Sequence, residues 1–229
     1  MHLSLRLFGR FQVQIDDAPV VGWRYDKVRA LLVYLVLENG RSHPRDQLAA
    51  LLWPDSPDAA ARKSLRQALT HLRAILGDET AVPPFLLVSR DAIQFNPASS
   101  YNVDANEFTS LLAACERHPH AAPDRCAECA ARLAEAVALY QGDLLPGFAL
   151  PNSLPFDEWL LTTRERLRLH AIDALGRLSA AYARSGNDEA ALQTARRQLA
   201  LDPWHEEAYR LLMRLLAQRG QRTAALAEY

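Results

Sequence analysis

Apolar and polar residues alternate at the start of the chain, and the apolar ones fall on odd numbers: Leu3, Leu5, Leu7, Phe11, Val13 and Ile15. This period of two is typical of strands that bury one face. Gly9 interrupts the alternation and predicts a break between two strands. A denser apolar run follows and closes at Gly40, which predicts a largely buried helix over Tyr25–Asn39.

Two more helices are predicted after this one. Pro44 can begin a short helix that runs to Trp53, because the first helical turn tolerates proline. Asp58 is the candidate N-cap of a longer helix, and Gly77 ends it. The longer helix, over 59–77, carries four cations and no acidic residue, and we call it the cationic helix.

The cationic helix is amphipathic. Its leucines recur at the spacing of one helical face: Leu65, Leu69, Leu72 and Leu76. Lys63, Gln67, Thr70 and Ala74 lie opposite that face, and Arg66 and Arg73 share one shoulder. Cations can contact phosphates and short polar side chains can contact base edges, so this surface suits a major groove. The helix alone leaves open the alternative of an ordinary surface helix with solvated arginines.

A hairpin is predicted after the cationic helix. Two short apolar segments, Phe85–Val88 and Ile93–Phe95, flank a charged turn that contains Arg90. The order of strands, buried helix, short helix, cationic helix and hairpin is that of an α+β winged helix-turn-helix over residues 1–100. In this arrangement the cationic helix reads the groove and the hairpin is the wing. Arg90 then contacts a phosphate or the minor groove, although a solvated turn arginine explains it equally well.

The second half, residues 101–229, is predicted to be helical and repetitive. Gly186 recurs as Gly220, and an Ala-Ala-Leu triplet recurs after the same interval of 34 residues. A tetratricopeptide repeat has this length and folds as a helix hairpin that stacks on its neighbours. We therefore expect an all-α tetratricopeptide-like domain. Tyr229 falls inside the second helix of a repeat, so the chain is expected to be the N-terminal part of a longer protein.

Charge is distributed unevenly along a chain whose formal net charge is −1. Residues 1–100 carry 12 Lys and Arg against 10 Asp and Glu, whereas residues 101–229 carry 14 against 17. The first half is therefore slightly basic, with its cations concentrated on one helix, and the second is slightly acidic. This asymmetry indicates two modules with different partners.

Several classes of protein are not expected from the sequence. The longest apolar run, Ala30–Leu37, is far shorter than the roughly 20 residues that span a bilayer. Met1 opens into a strand pattern and not a signal peptide, so the protein is expected to be cytoplasmic and to bind no membrane. Neither Lys27 nor Lys63 follows a glycine, so no phosphate-binding loop is present. Without a glycine-elbow serine or an HExxH motif, no enzymatic activity is predicted.

A cluster of cysteine and histidine residues lies between two predicted helices. The pairs Cys115-x2-His118 and Cys126-x2-Cys129 have the spacing of a tetrahedral zinc site, and His120 can substitute for His118. A structural zinc ion is one interpretation. A redox-active cysteine pair and incidental thiols are the two alternatives that the sequence leaves open.

Segments from both halves, in their order and spacing, carry a family resemblance over nearly the whole chain. They are LFGRFQV (Leu7–Val13), KVRALLVYL (Lys27–Leu35), DQLAALLWPD (Asp46–Asp55), SLRQALTHLRAIL (Ser64–Leu76), NVDANEF (Asn102–Phe108), LYQGDLLPGF (Leu139–Phe148), the FDEW and RERLR motifs within Phe156–Arg168, and ALDPWHEEAYRLLMRL (Ala200–Leu215). The chain resembles the bacterial antibiotic-regulatory-protein (SARP) type activators. That family joins an OmpR-type winged helix to a tetratricopeptide-like bacterial transcriptional activator domain.

The resemblance implies a transcriptional regulator, expected to be an activator. Such a protein binds direct repeats of double-stranded DNA near a promoter, contacts RNA polymerase, and can form a homodimer on DNA. By position, the implied DNA-contact residues are Arg62, Lys63, Arg66, Gln67, Thr70, Arg73 and the wing residue Arg90. The alternative function is a protein-interaction scaffold that does not bind specific DNA sequences.

Overall fold

The computed structural model of the protein describes residues 1–119 and 126–227, and its contacts divide the chain into two compact units. The first unit consists of Met1–Asn106 and Leu144–Arg164, and the second of Glu107–Asp143 and Glu165–Tyr229. The elements in chain order are β1 (Leu3–Arg6), β2 (Gln12–Ile15), β3 (Ala18–Pro19), α1 (Asp26–Leu37), β4 (His43–Pro44), α2 (Arg45–Leu52), α3 (Asp58–Ile75), β5 (Leu86–Val88), β6 (Ala92–Phe95), β7 (Tyr101–Val103), α4 (Asp104–Arg117), α5 (Ala127–Leu139), α6 (Leu154–Arg184), α7 (Asp188–Leu201), α8 (Glu206–Gln218) and α9 (Arg222–Ala227).

The first unit begins with a four-stranded sheet in the order β3-β2-β1-β7. Strands β1 and β2 are antiparallel, with Leu3 opposite Ile15, whereas β7 runs parallel to β1. Leu3, Leu5 and Val13 are buried, as the alternation predicts. The sequence did not indicate β7, whose three residues are too few for a clear period.

Helix α1 forms the centre of the first unit, and every residue from Ala30 to Val36 is buried. Helices α2 and α3 both pack against it. A three-stranded sheet in the order β4-β6-β5 completes the arrangement, with Leu86 opposite Phe95 in the hairpin. The predicted winged helix-turn-helix is therefore confirmed, with α2 and α3 as the helix-turn-helix and β5–β6 as the wing. The extra strand β4, in which His43 pairs with Ile93, was not predicted.

The beginning of α3 differs from the prediction. Asp58 is not the N-cap: it is the first residue inside the helix, and the N-cap is Pro57, which makes no side-chain capping bond. Proline has no side-chain acceptor, so the first N–H groups of α3 lack that partner. The Asp58 carboxylate still lies in the first turn, where negative charge interacts favourably with the helix dipole.

A segment from later in the chain belongs to the winged-helix unit. Within it, the Ser153 hydroxyl donates to the Leu51 carbonyl at the end of α2. The Trp159 indole N–H donates to the Glu38 carboxylate after α1, at 3.0 Å. The first unit therefore differs from the predicted 1–100 domain in extending to Asn106 and in including Leu144–Arg164.

The second unit is helical and repetitive. Gly186 follows α6 and Gly220 follows α8, and both have positive φ angles, of 75° and 76°. After each glycine the next N–H bonds back to a carbonyl in the last helical turn, at Tyr182 and Leu216. A bond of this kind after a glycine with positive φ is typical of the helix end known as the Schellman motif. The two corners of the 34-residue repeat are therefore equivalent. The segment Phe156–Ala183 lies within one continuous helix, α6.

Candidate nucleic-acid interface

Helix α3 has two distinct faces. Its leucine stripe is buried in the first unit, with Leu65, Leu69, Leu72 and Leu76 each at most 5% exposed. Burial of this stripe fixes the rotation of the helix and turns the opposite face outward. The exposed side chains on or beside that face are Lys63, Arg66, Gln67, Thr70 and Ala74, and Arg62 is exposed nearer the leucine stripe. The predicted polar face of α3 is thus exposed on the surface of the protein.

Cations from three elements of the first unit border one groove. Its lining consists of Pro44, Arg45, Asp46, Arg62, Leu65, Arg66, Arg90 and Asp91. Arg66 comes from α3 and Arg90 from the turn of the wing, as predicted. Lys63, Arg66 and Arg90 are exposed and form no ion pair within the ranges 1–119 and 126–227 that the structure describes. These three cations are therefore available to a phosphate.

Arg45 attaches the wing to the helix-turn-helix, and the sequence did not single it out. Its guanidinium donates from Nε and Nη2 to the Ser89 carbonyl, at 3.2 and 2.9 Å. Its backbone N–H donates to the Asp91 carbonyl at 2.9 Å. These bonds hold both residues that flank Arg90, so Arg45 positions the tip of the wing. No local pattern could reveal this role, because the partners lie more than forty residues away.

Arg62 is held by the preceding helix. Its Nε and Nη2 donate to the two carboxylate oxygens of Asp46 on α2, at 2.7 and 2.8 Å. This bidentate geometry is the strong form of an arginine–carboxylate pair. A phosphate at Arg62 must compete with Asp46, so we expect Arg62 to be a weaker phosphate contact than Lys63 or Arg66.

Thr70 and Gln67, the side chains predicted to contact bases, differ in the hydrogen bonds that they can form with DNA. The Thr70 hydroxyl donates to the Arg66 carbonyl at 3.0 Å, within the helix. With its proton engaged, this hydroxyl can only accept a hydrogen bond, and the methyl group can contact a thymine methyl. Gln67 is exposed and retains both its amide donor and its acceptor. That combination allows the bidentate contact with adenine that glutamine makes in the major groove.

Arg73, another predicted DNA contact, is paired with a carboxylate inside the protein. Its Nε donates to the Asp78 carboxylate at 3.0 Å, and the side chain of Asp78 is fully buried. The other carboxylate oxygen of Asp78 accepts the Leu86 N–H at the start of the wing. Arg73 therefore neutralises a buried charge that joins the end of α3 to β5. A DNA phosphate at Arg73 has to compete with Asp78, so we expect Arg73 to be a weaker DNA contact than Lys63 or Arg66.

A second depression borders the outward face of α3. His71 Nε2 lies 3.0 Å from the Gly22 carbonyl and ties α3 to the loop before α1. Lys27 lies over the Trp53 ring, 5.1 Å from its centroid. Burial lowers the pKa of Lys27, with Asp55 acting in the opposite direction. These contacts join the helix-turn-helix to α1 and to the loop that precedes it.

The predicted cysteine–histidine cluster is assembled in the second unit. Cys126 and Cys129 lie at the start of α5, and their sulfur atoms lie 3.5 and 3.3 Å from Nδ1 of His118. Cys115, on α4, is fully buried, and its Sγ lies 3.7 Å from the Cys129 carbonyl. Burial raises the pKa of the Cys129 thiol to about 11, and hydrogen bonds with Cys126 and Cys115 add to this rise. His120, the predicted substitute for His118, lies outside the described residues.

The chain matches known proteins along most of its length. Residues 103–229 match the family described as the bacterial transcriptional activator domain. The regulatory protein AfsR of Streptomyces griseus is 28% identical over 223 residues, which cover 92% of this chain and 21% of AfsR. The transcriptional regulatory protein EmbR of Mycobacterium tuberculosis is 33% identical over 87 residues, which cover 38% of this chain and 22% of EmbR. The aligned residues thus span about a fifth of the length of each of these relatives.

A solved structure has the same fold. It is the structure of Mycobacterium tuberculosis EmbR in complex with a low-affinity phosphopeptide. The match covers 100% of this chain and 57% of the EmbR chain, with a TM-score of 0.70 and 21% sequence identity. The names of these relatives are those of regulators and not of enzymes. In the described part of the chain, no helix has the length and apolar character needed to cross a membrane.

Proposed function

Since the chain belongs to the family of SARP-type transcriptional regulators that carry the bacterial transcriptional activator domain, we propose that it binds double-stranded DNA sequence-specifically through α3 and the wing. The observation that carries this proposal is the outward face of α3. There, unpaired cations stand beside the polar side chains of Gln67 and Thr70, and Arg90 borders the same groove as Arg66. A helix with such a face is suited to the major groove, with the wing beside it.

The proposal assigns separate tasks to these residues. Lys63, Arg66 and Arg90 contact phosphates, which supply affinity and orientation but no sequence information. Gln67 and Thr70 contact base edges and supply specificity. Arg62, already paired with Asp46, makes a weaker contact with the backbone.

The proposal extends to assembly. One winged helix reads only a short half-site, so specific binding requires two copies on neighbouring half-sites about one helical turn apart. Direct repeats need a head-to-tail arrangement, which gives two copies per site without a stable two-fold dimer in solution. The helical unit then provides the surface for contacts with the second copy and with RNA polymerase, as expected for an activator that works in the cytoplasm.

Duplex binding over a range of salt concentrations tests the proposal. The 229-residue chain is titrated against fluorescent DNA from its own upstream region and against a random duplex of equal length. We expect tighter binding to the upstream DNA and a steep loss of affinity with salt. A triple Lys63/Arg66/Arg90→Ala variant removes three of the charges that cause this dependence.

A matched control removes three exposed arginines from the second unit, as Arg196/Arg210/Arg214→Ala. It changes the net charge equally and leaves α3 intact, so we expect it to bind like the unaltered chain. Circular dichroism establishes that each variant is folded. If the folded α3 variant retains full affinity and salt dependence, α3 is not the interface. If the unaltered chain binds no duplex, the interaction-scaffold alternative replaces the proposal.

A further inference from the structure

We propose that the second unit binds one zinc ion through Cys115, His118, Cys126 and Cys129, with His118 coordinating through Nδ1. The ion connects the end of α4 to the start of α5. This inference does not depend on DNA binding, since the four residues lie in a different unit from the winged helix.

The ligand atoms of three residues already lie at distances close to those of a tetrahedral site. Those of His118, Cys126 and Cys129 all lie within 4.8 Å of one another. Nδ1 of His118 is 3.3 Å from the Cys129 sulfur and 3.5 Å from the Cys126 sulfur. Zinc bonds of 2.0–2.3 Å in tetrahedral geometry separate neighbouring ligand atoms by about 3.6 Å. Little rearrangement is therefore needed to close these three atoms around one ion.

Cys115 is the candidate for the fourth ligand. It lies on α4, three residues before His118, which directly follows that helix. Its Sγ lies 3.7 Å from the Cys129 carbonyl, and the Cys129 Sγ lies 4.0 Å from the Cys115 carbonyl, so the two cysteines are neighbours. Cys126 and Cys129 are likewise three residues apart at the start of α5. The end of α4 and the start of α5 thus each provide two candidate ligands with the x2 spacing of structural zinc sites.

A carboxylate orients the histidine for this role. Nε2 of His118 lies 3.3 Å from a carboxylate oxygen of Glu128, and the other oxygen of Glu128 accepts a hydrogen bond from Arg132. With its proton on Nε2 and donated to Glu128, the ring directs the Nδ1 lone pair at the two sulfur atoms. Histidines that bind metals usually donate their second nitrogen in this way, which fixes the tautomer and strengthens the metal bond.

The chemistry of the ligands favours zinc in a structural role. Three thiolates and one imidazole form a soft set that suits zinc and leaves no position open for a substrate. All three cysteines are unbridged in the structure. The thiols release their protons to solvent when they bind the ion. Because the assembled site exists only in the folded unit, binding adds directly to the stability of that unit.

Metal content and cobalt spectroscopy test this inference. The 229-residue chain is purified without a histidine tag or chelator, and its zinc is measured by mass spectrometry. We expect about one zinc per chain. Exchange for Co²⁺ is expected to produce the visible bands of a tetrahedral thiolate site. Cys126→Ser and His118→Ala should each lose the bound metal, and His170→Ala, at an exposed histidine on α6, should keep it.

Glu128→Gln provides a test that does not remove a ligand and is not expected to unfold the chain, because Glu128 is exposed. We expect zinc affinity to fall by about 10- to 100-fold in a competition with a chromogenic chelator, with all three thiols still present. A chain without metal after growth in zinc-supplemented medium, or an octahedral cobalt spectrum, would overturn the inference. So would a Cys126–Cys129 disulfide in freshly purified protein, which would indicate a redox pair.

Discussion

Arg73 and Asp78 are joined by two hydrogen bonds that run in opposite directions. The Arg73 guanidinium donates to the buried Asp78 carboxylate at 3.0 Å, and the Asp78 backbone N–H donates to the Arg73 carbonyl at 2.9 Å. Gly77, with a φ of 60°, allows the chain to turn between them. The end of α3 is therefore locked to the strand that follows it, and the last arginine of the helix is part of the fold.

Arg66 and Arg73 lie on the same helix, but we predict different effects when each is replaced. Arg66→Ala should lower the slope of log affinity against log salt by about one and leave stability unchanged. Arg73→Ala should instead lower stability by about 1–3 kcal/mol, because the buried Asp78 loses its cationic partner. Salt titrations with duplex DNA and urea unfolding measure the two effects. If Arg73→Ala changed the salt slope at full stability, Arg73 would be a DNA contact and not a structural arginine.

Asp46 is expected to restrain DNA binding. Asp46→Asn removes a negative charge beside the groove and frees Arg62 from its bidentate partner. We predict tighter binding to random duplex and a salt slope steeper by up to about one. Asp17→Asn, in the turn between β2 and β3, makes the same charge change away from α3 and should have little effect. Equal gains from both variants would indicate a general charge effect and not a released arginine.

Gln67 is predicted to act on specificity more than on affinity. Gln67→Ala should reduce discrimination at one base position by about 1–3 kcal/mol, while binding to random duplex stays within a factor of about two. Selection of preferred sequences from a random library, with both proteins in parallel, measures this change. Equal losses on specific and random DNA would instead place Gln67 among the backbone contacts.

Thr70 allows a finer comparison. Its hydroxyl donates to the Arg66 carbonyl, so its methyl group is the side-chain feature most available to a thymine. Thr70→Val keeps a methyl group at that position and should retain most of the preference, whereas Thr70→Ser should lose it. The same library selection separates them. If Thr70→Ser kept the preference and Thr70→Val lost it, the hydroxyl would be the contact.

Gly186 is predicted to be required for the corner between α6 and α7. Its φ of 75° is unfavourable for other residues, so Gly186→Ala should cost about 1–2 kcal/mol although nothing lies within 4 Å of an added Cβ. Gly40→Ala is the matched control, because Gly40 also has open space but no positive φ. Thermal unfolding of the three proteins measures the difference. If both variants were equally stable, the positive φ of Gly186 would not be a requirement for glycine at this corner.

Features that depend on neighbours within a few residues could be predicted from the sequence. The spacing of Leu65, Leu69, Leu72 and Leu76 determined which face of α3 is buried, and therefore which residues are exposed. Alternation predicted β1 and β2, and Gly186 and Gly220 marked the repeat corners. The x2 spacing of the cysteine and histidine pairs identified the candidate ligands. Local backbone geometry sets all of these relations, so a short window of sequence contains them.

The tertiary structure alone decided which exposed or charged groups are already engaged. Arg66 and Arg73 share one shoulder of the same helix, yet only Arg73 meets a buried carboxylate. Arg45 reaches the wing tip, and Leu144–Arg164 joins a unit that begins more than a hundred residues earlier. The orientation of His118 by Glu128 depends likewise on how α4 and α5 pack. Hydrogen bonds and ion pairs act over a few ångströms in space, and periodicity along the chain does not specify which distant residues come that close.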